Sequence, residues 1–295
     1  CGKCRIRLRE GTLISERQDG KLFTDEEIRQ GWYLACRTYP SDNCVIELAY
    51  DEADFEIVTD YRMAKSSRTG LKSEGSAANM TVKDPESEYA IAIDIGTSTL
   101  VMSLLDIRDG KVLQTYSAAN PQRTYGADVI SRIQAANNGK GKQLQELILS
   151  ELLRGICEVV EKAGVSAGSI CRLAIACNTV MGHLLLGYSC EGLGRYPYTP
   201  VNISAVELPF SQLFNSAFLH APVTILPGIS AFVGGDIVAG LLACDFDKAV
   251  RPCLFIDLGT NGELALGNKE RILLSSSAAG PAFEGGNISC GCGSV

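Results

Sequence analysis

Positive charge is scarce in this sequence: 27 Lys and Arg stand against 34 Asp and Glu, for a net charge of -7. Nucleic acid and anionic lipid both require a basic face, so neither is an expected partner. Long apolar runs are missing too. The run around Val180–Gly187 falls far short of the ~20 residues that cross a bilayer, and no leader opens the chain, so a cytoplasmic protein is expected. Histidine occurs twice and tryptophan once. Apolar residues, by contrast, make up 46% of 295 positions, enough for a sizeable core and more than one domain. Cysteine is plentiful at 12, and Cys157, Cys171, Cys177 and Cys253 sit within apolar stretches. Such placement reads as reduced thiols in a reducing compartment, not as a disulfide scaffold.

Residue 1 is a cysteine inside a Cys-x-x-Cys motif, and the chain stops at Val295 soon after Gly-Pro-Ala-Phe-Glu-Gly-Gly-Asn-Ile-Ser-Cys-Gly. Both ends are therefore expected to be missing. Residues 1–50 are dense in Cys, Arg and β-formers, whereas 51–87 turn polar and read as a linker. From Tyr89 onward, short apolar strands alternate with helical periodicity over 126–137 and 143–163. A strand over 173–176, a helix after Asn178, a strand over 223–226 and a helix over 230–244 continue the pattern, which makes an α/β domain.

The most specific feature is an internal repeat. Ile93-Asp94-Ile95-Gly96-Thr97-Ser98-Thr99 returns as Ile256-Asp257-Leu258-Gly259-Thr260-Asn261-Gly262. Each copy ends an apolar strand and opens two more, over 100–105 and 112–117 in one and 263–266 and 272–275 in the other. Glycine lets the backbone turn close to an anion, and successive N–H groups with Thr or Ser hydroxyls donate to its oxygens. A carboxylate at the strand end, Asp94 or Asp257, suits Mg²⁺ held through water. Asp-x-Gly-Thr alone is also an ordinary turn; two copies in one context favour a phosphate clamp. The repeat resembles the phosphate motifs of the acetate kinase, sugar kinase, Hsp70 and actin superfamily. That resemblance implies a ribonuclease-H-like first lobe over 88–251 and the start of a second over 252–295, with ATP held at Gly96, Thr97, Ser98, Thr99, Gly259, Thr260 and Asn261. The adenosine-binding motif would lie further downstream.

Between the copies, Asn178 is a plausible N-cap for the helix after it. His183, in a Leu-rich helix, reads as a packed or capping residue. Gly234-Gly235-Asp236 fits either a nucleotide-facing loop at a helix start or tight helix–sheet packing; Gly234 and Gly235 enter the expected ATP site on the first reading.

Cys1-Gly2-Lys3-Cys4 and the distant Cys36 match the last three ligands of a plant-type two-iron two-sulfur ferredoxin, Cys-x4-Cys-x2-Cys and a remote fourth. A redox dithiol and a zinc site are the alternatives; zinc usually shows a second close pair. On the ferredoxin reading, residues 1–50 form part of a β-grasp domain and the remaining ligand lies upstream. Cys44 reads as core, and Cys290 and Cys292 have no assigned role.

A ferredoxin joined to an actin-like ATPase resembles the reductive activators of corrinoid proteins. The segments that carry the likeness are Asn120-Pro121-Gln122-Arg123-Thr124-Tyr125-Gly126-Ala127-Asp128-Val129-Ile130-Ser131-Arg132-Ile133, Ala176-Cys177-Asn178-Thr179-Val180-Met181-Gly182-His183 and Gly280-Pro281-Ala282-Phe283-Glu284-Gly285. The resemblance implies ATP-dependent electron transfer from the cluster to a Co(II) corrinoid, with Asp94 and Asp257 catalytic through Mg²⁺. The implied partners are a corrinoid protein and a low-potential electron donor, and a homodimer is kept among the expected assemblies. Each tenfold gain in a one-electron equilibrium requires about 59 mV, which is why ATP is needed for an uphill transfer. Two other classes remain open: a small-molecule kinase of the same superfamily, and an adaptor that binds nucleotide only as a switch. Some members carry a middle domain between ferredoxin and ATPase, where this sequence has only the polar stretch.

Overall fold

The computed structural model describes residues 5–15, 23–34, 38–48, 88–259 and 261–278. The chain divides into two compact units after Glu56.

In the first unit, β1 (Arg5–Glu10), β2 (Leu13–Ser15), α1 (Asp25–Arg29), β3 (Trp32–Leu34), β4 (Thr38–Pro40) and β5 (Val45–Leu48) follow in order. β1 lies between β3 and β5, antiparallel to both, while β2 pairs with β4. Alternation along β1 buries Ile6 on one side and sends Arg5 and Arg7 over the ring of Trp32 on the other. α1 is short, and a capping box holds it: Thr24 accepts from the Glu27 N–H, and the Glu27 carboxylate accepts from the Thr24 N–H at 2.8 Å.

The second unit opens with β6 (Tyr89–Ile95), β7 (Thr99–Asp106) and β8 (Val112–Ala119), an antiparallel meander. α2 (Val129–Ala135), a π-helical turn and α3 (Gly141–Ala163) return the chain to β9 (Ile170–Cys177), which runs parallel to β6. Then come α4 (Thr179–Leu186), β10 (Val206–Pro209), α5 (Phe210–Phe214) and β11 (Pro222–Ile225), the last parallel to β9. The sheet order β10-β11-β9-β6-β7-β8 is the ribonuclease-H-like arrangement the repeat implied, with β10 added antiparallel at one edge. Ile91, Ile93 and Ile95 of β6 share one core with Leu144, Ile148, Leu152, Ile156 and Val159 of α3, which recur at helical spacing. Burying each such side chain contributes roughly 1.5–3 kcal/mol.

α6 (Gly235–Ala243) leads to a second antiparallel meander, β12 (Cys253–Leu258), β13 (Asn261–Gly267) and β14 (Ile272–Ala278). Ile237 and Leu241 of α6 pack with Phe246 and Ala265, and Phe255 and Leu274 close that smaller core. The helix expected from Ser230 begins only at Gly235, because 228–233 form a loop closed by a Ser230–Val233 bridge. β10 and α5 fall where no element was expected. Cys44 is half-buried. No helix among the described residues is long and apolar enough to cross a membrane.

Candidate functional site

Both copies of the repeat form strand-to-strand tips. Asp94 lies near the end of β6, and the Gly96 N–H donates to the Thr99 carbonyl at 2.9 Å to close the first. A Cβ on Gly96 would lie 2.8 Å from that carbonyl oxygen, so only glycine fits the turn. In the second, Asp257 lies near the end of β12 and the Gly259 N–H donates to the Asn261 carbonyl at 2.9 Å. Thr97 is buried, its hydroxyl accepting from Asn178 Nδ2 at 3.1 Å, whereas Ser98, Thr99, Gly259 and Asn261 stay partly accessible. Thr260 lies outside the described residues.

Asn178 caps α4 as expected, its Oδ1 accepting from the Met181 N–H at 3.0 Å. His183 is packed: Nδ1 bonds the Thr179 carbonyl at 2.8 Å, and Nε2 accepts from the Val201 N–H at 2.9 Å. That fixes the neutral Nδ1–H tautomer, and burial lowers its pKa.

α6 ties the tips together. A Cβ on Gly234 would come within 2.4 Å of Asn178 Cα and 2.5 Å of the Cys177 carbonyl oxygen, so this glycine seats the start of α6 against the end of β9. A Cβ on Gly235 would lie 2.9 Å from the Leu226 carbonyl oxygen. Packing thus describes both glycines, and the charged residue beside them in the first turn of α6 is Asp236. It stands electrostatically between the tips: Asp236 and Asp257 both raise Asp94, and Asp257 raises Asp236.

Water reaches the Asp94 carboxylate, yet protein surrounds it on most sides. Desolvation first, then the charges of Asp236 and Asp257, push its pKa up to about 7. Desolvation likewise lifts Asp236 to about 6, opposed by the N–H of Ile237 on its Oδ1. Three carboxylates in mutual repulsion, all oxygen donors, suit a hard divalent cation. Among the described residues no three such groups converge closely enough to grasp an ion directly. Sequence reasoning took Asp94 and Asp257 from the repeat but left Asp236 without a role, since it belongs to neither copy. Cys1, Cys4, Cys36, Cys290 and Cys292 lie outside the described residues.

Topology and paired tips place the second unit among the acetate kinase, sugar kinase, Hsp70 and actin type of domain. Three family models match the chain: the 2Fe-2S iron-sulfur cluster binding domain at 1–41, the RACo middle region at 89–249, and the C-terminal domain of RACo, the ASKHA domain, at 251–294. The chain belongs to the RACo family. The RACo middle region model covers the β6–β11 sheet with α2–α6, the stretch read from the sequence as a first lobe, and the polar stretch 51–87 lies outside the described residues. A corrinoid activation enzyme, RamQ, of Eubacterium limosum is 37% identical over 205 residues, 69% of this chain and 34% of that protein. A [Co(II) methylated amine-specific corrinoid protein] reductase of Methanosarcina barkeri is 29% identical over 212 residues, 69% of this chain and 38% of that one. The solved structure of a reductive activator for corrinoid,iron-sulfur protein matches with a TM-score of 0.66 and 28% identity, over 99% of this chain and 59% of its own. The chain thus spans a little over a third of the curated relatives it matches.

Proposed function

We propose that this chain is part of an ATP-dependent reductive activator, which returns the Co(II) corrinoid of a partner protein to Co(I) with an electron from a low-potential donor. The observation that carries the reading is the electrostatic coupling of Asp94, Asp236 and Asp257 across two glycine tips, in a chain that also carries a 2Fe-2S binding domain. A bound cluster supplies one-electron transfer: its reduced form loses one electron and Co(II) gains it. Cys1, Cys4 and Cys36 would supply ligands to it.

Ser98, Thr99, Thr260 and Asn261 donate to phosphate oxygens at the two tips, and Thr97 orients the first through Asn178. Gly96 and Gly259 let the backbone approach the phosphates, while Gly234 and Gly235 set the position of α6. Asp94 and Asp257 hold the waters of Mg²⁺, and Asp236 adds the third negative charge. Binding or hydrolysis acts on the electron transfer only where the two nucleotide states differ in their contacts with the corrinoid protein. The tips supply that difference by closing on the γ-phosphate. Asp257→Ala is expected to abolish ATP-dependent Co(I) formation and corrinoid-stimulated ATP turnover, while iron, sulfide and the visible spectrum stay those of the parent. Unchanged activation refutes the assignment.

A further inference from the structure

The three carbonyls of the first tip are all held from one side. Asn120 Nδ2 donates to the Gly96 carbonyl at 2.8 Å, Arg132 Nη2 to that of Thr97 at 2.6 Å, and the Asn120 N–H to that of Ser98 at 2.8 Å. In a planar trans peptide the N–H points opposite the carbonyl. The N–H groups of Thr97, Ser98 and Thr99 are therefore turned away from the donors on Asn120 and Arg132.

Arg132 is 0% exposed, and no carboxylate forms an ion pair with it among the described residues. Its other partners are the Gly126 carbonyl at 2.9 Å and Met181 Sδ at 3.3 Å, all neutral. Asp128 attracts it through space but is spent at the N-cap of α2, accepting from the Ser131 N–H at 2.8 Å. Its pKa, lowered by burial to about 10, leaves it charged at neutral pH. A buried cation with neutral partners is costly and favours any anion that comes near.

We infer that Arg132, aided by Asn120, is a positioning residue of the first tip, aiming its N–H groups at the phosphates and lending them a buried countercharge. This rests on the nucleotide reading. The experiment uses the protein at its full natural length, with Arg132→Met, Arg132→Lys and Asn120→Ala. ATP affinity is read by calorimetry, and the rise in melting temperature by Mg-pyrophosphate. Loss of a charge-assisted hydrogen bond predicts ATP binding weaker by roughly 10- to 100-fold in Arg132→Met, with the pyrophosphate-induced rise gone. Arg132→Lys, which keeps the charge without the fork, recovers part of both. A purely structural role lowers the baseline melting temperature and leaves the ligand-induced rise intact; that result, or parental ATP affinity in Arg132→Met, overturns the inference. If Arg132→Met does not fold, the same readings on Asn120→Ala decide it. A parent protein that binds neither ATP nor pyrophosphate overturns the nucleotide reading as well, a failure visible without any variant.

Discussion

Asp94 is worth more to the folded state with its proton on. Its folded pKa of about 7 lies above the ordinary 3.8, so between those values the folded chain holds a proton the unfolded chain has released. Stability therefore falls as pH rises through that window and levels off above it. Asp236, lifted to about 6, adds to the same slope. The Asp94→Asn variant is expected to flatten the decline in melting temperature between pH 4 and 7, and a decline as steep as the parent's would rule out Asp94 as its origin. Gly234→Ala forces a methyl into the Cys177 and Asn178 backbone. A loss of about 3 kcal/mol in urea unfolding is expected, typical of severe overpacking. Asp94 and Asp257 were legible in the sequence because the motif occurs twice; Asp236 was not, because only the docking of α6 brings it to them.

At the scale of elements, α4 links the tip to the interior. Asn178→Ala removes its N-cap, worth about 1 kcal/mol, and the bond to Thr97 besides. Stability should fall by at least that amount, and Mg-pyrophosphate should raise the melting temperature less than in the parent. In α3, Gly155 faces Tyr116 and Met102, and a Cβ there would meet Tyr116 Cδ1 at 2.6 Å. The Tyr116 hydroxyl is anchored by Glu151 and Arg154, so the ring cannot swing aside. Alanine in a helix interior is favoured over glycine by about 1 kcal/mol, yet Gly155→Ala is expected to destabilise, because overpacking costs about 1–3 kcal/mol. Thermal unfolding checks the sign. Both meanders, the long helix and the α4 cap were legible from period and cap chemistry. β10 and α5 were hidden, since Val206–Phe214 is too short for either period to show and is ordered by pairing with β11.

At the scale of the whole molecule, the two meanders differ in what covers them. β6–β8 are backed by α3, whereas β12–β14 carry α6 on one face and leave Leu254, Ile256, Leu258, Leu264, Leu266 and Leu273 exposed on the other. Cross-strand pairs Leu254–Leu266 and Ile256–Leu264 put these side chains on one side of the sheet. This chain by itself is expected to bind the dye ANS, and Ile256→Glu with Leu264→Lys to reduce that fluorescence without lowering the melting temperature. Undiminished fluorescence would place the apolar surface elsewhere.

What the sequence determined by itself was the chemistry that local pattern can encode: a doubled Asp-x-Gly-Thr tip, alternating strands, a capped helix and cysteines at ferredoxin spacing. These depend on neighbours in the chain, so they can be read without coordinates. Tertiary structure alone decided that Gly234 and Gly235 serve packing, that Asp236 joins the two repeated carboxylates, and that Arg132 and Asn120 brace the first tip. Those roles join residues distant in the chain: Gly96 with Asn120 at 24 positions, Cys177 with Gly234 at 57 and Asp94 with Asp236 at 142. No local period or propensity carries such a pairing; only the closing of the sheet and the docking of α6 create it.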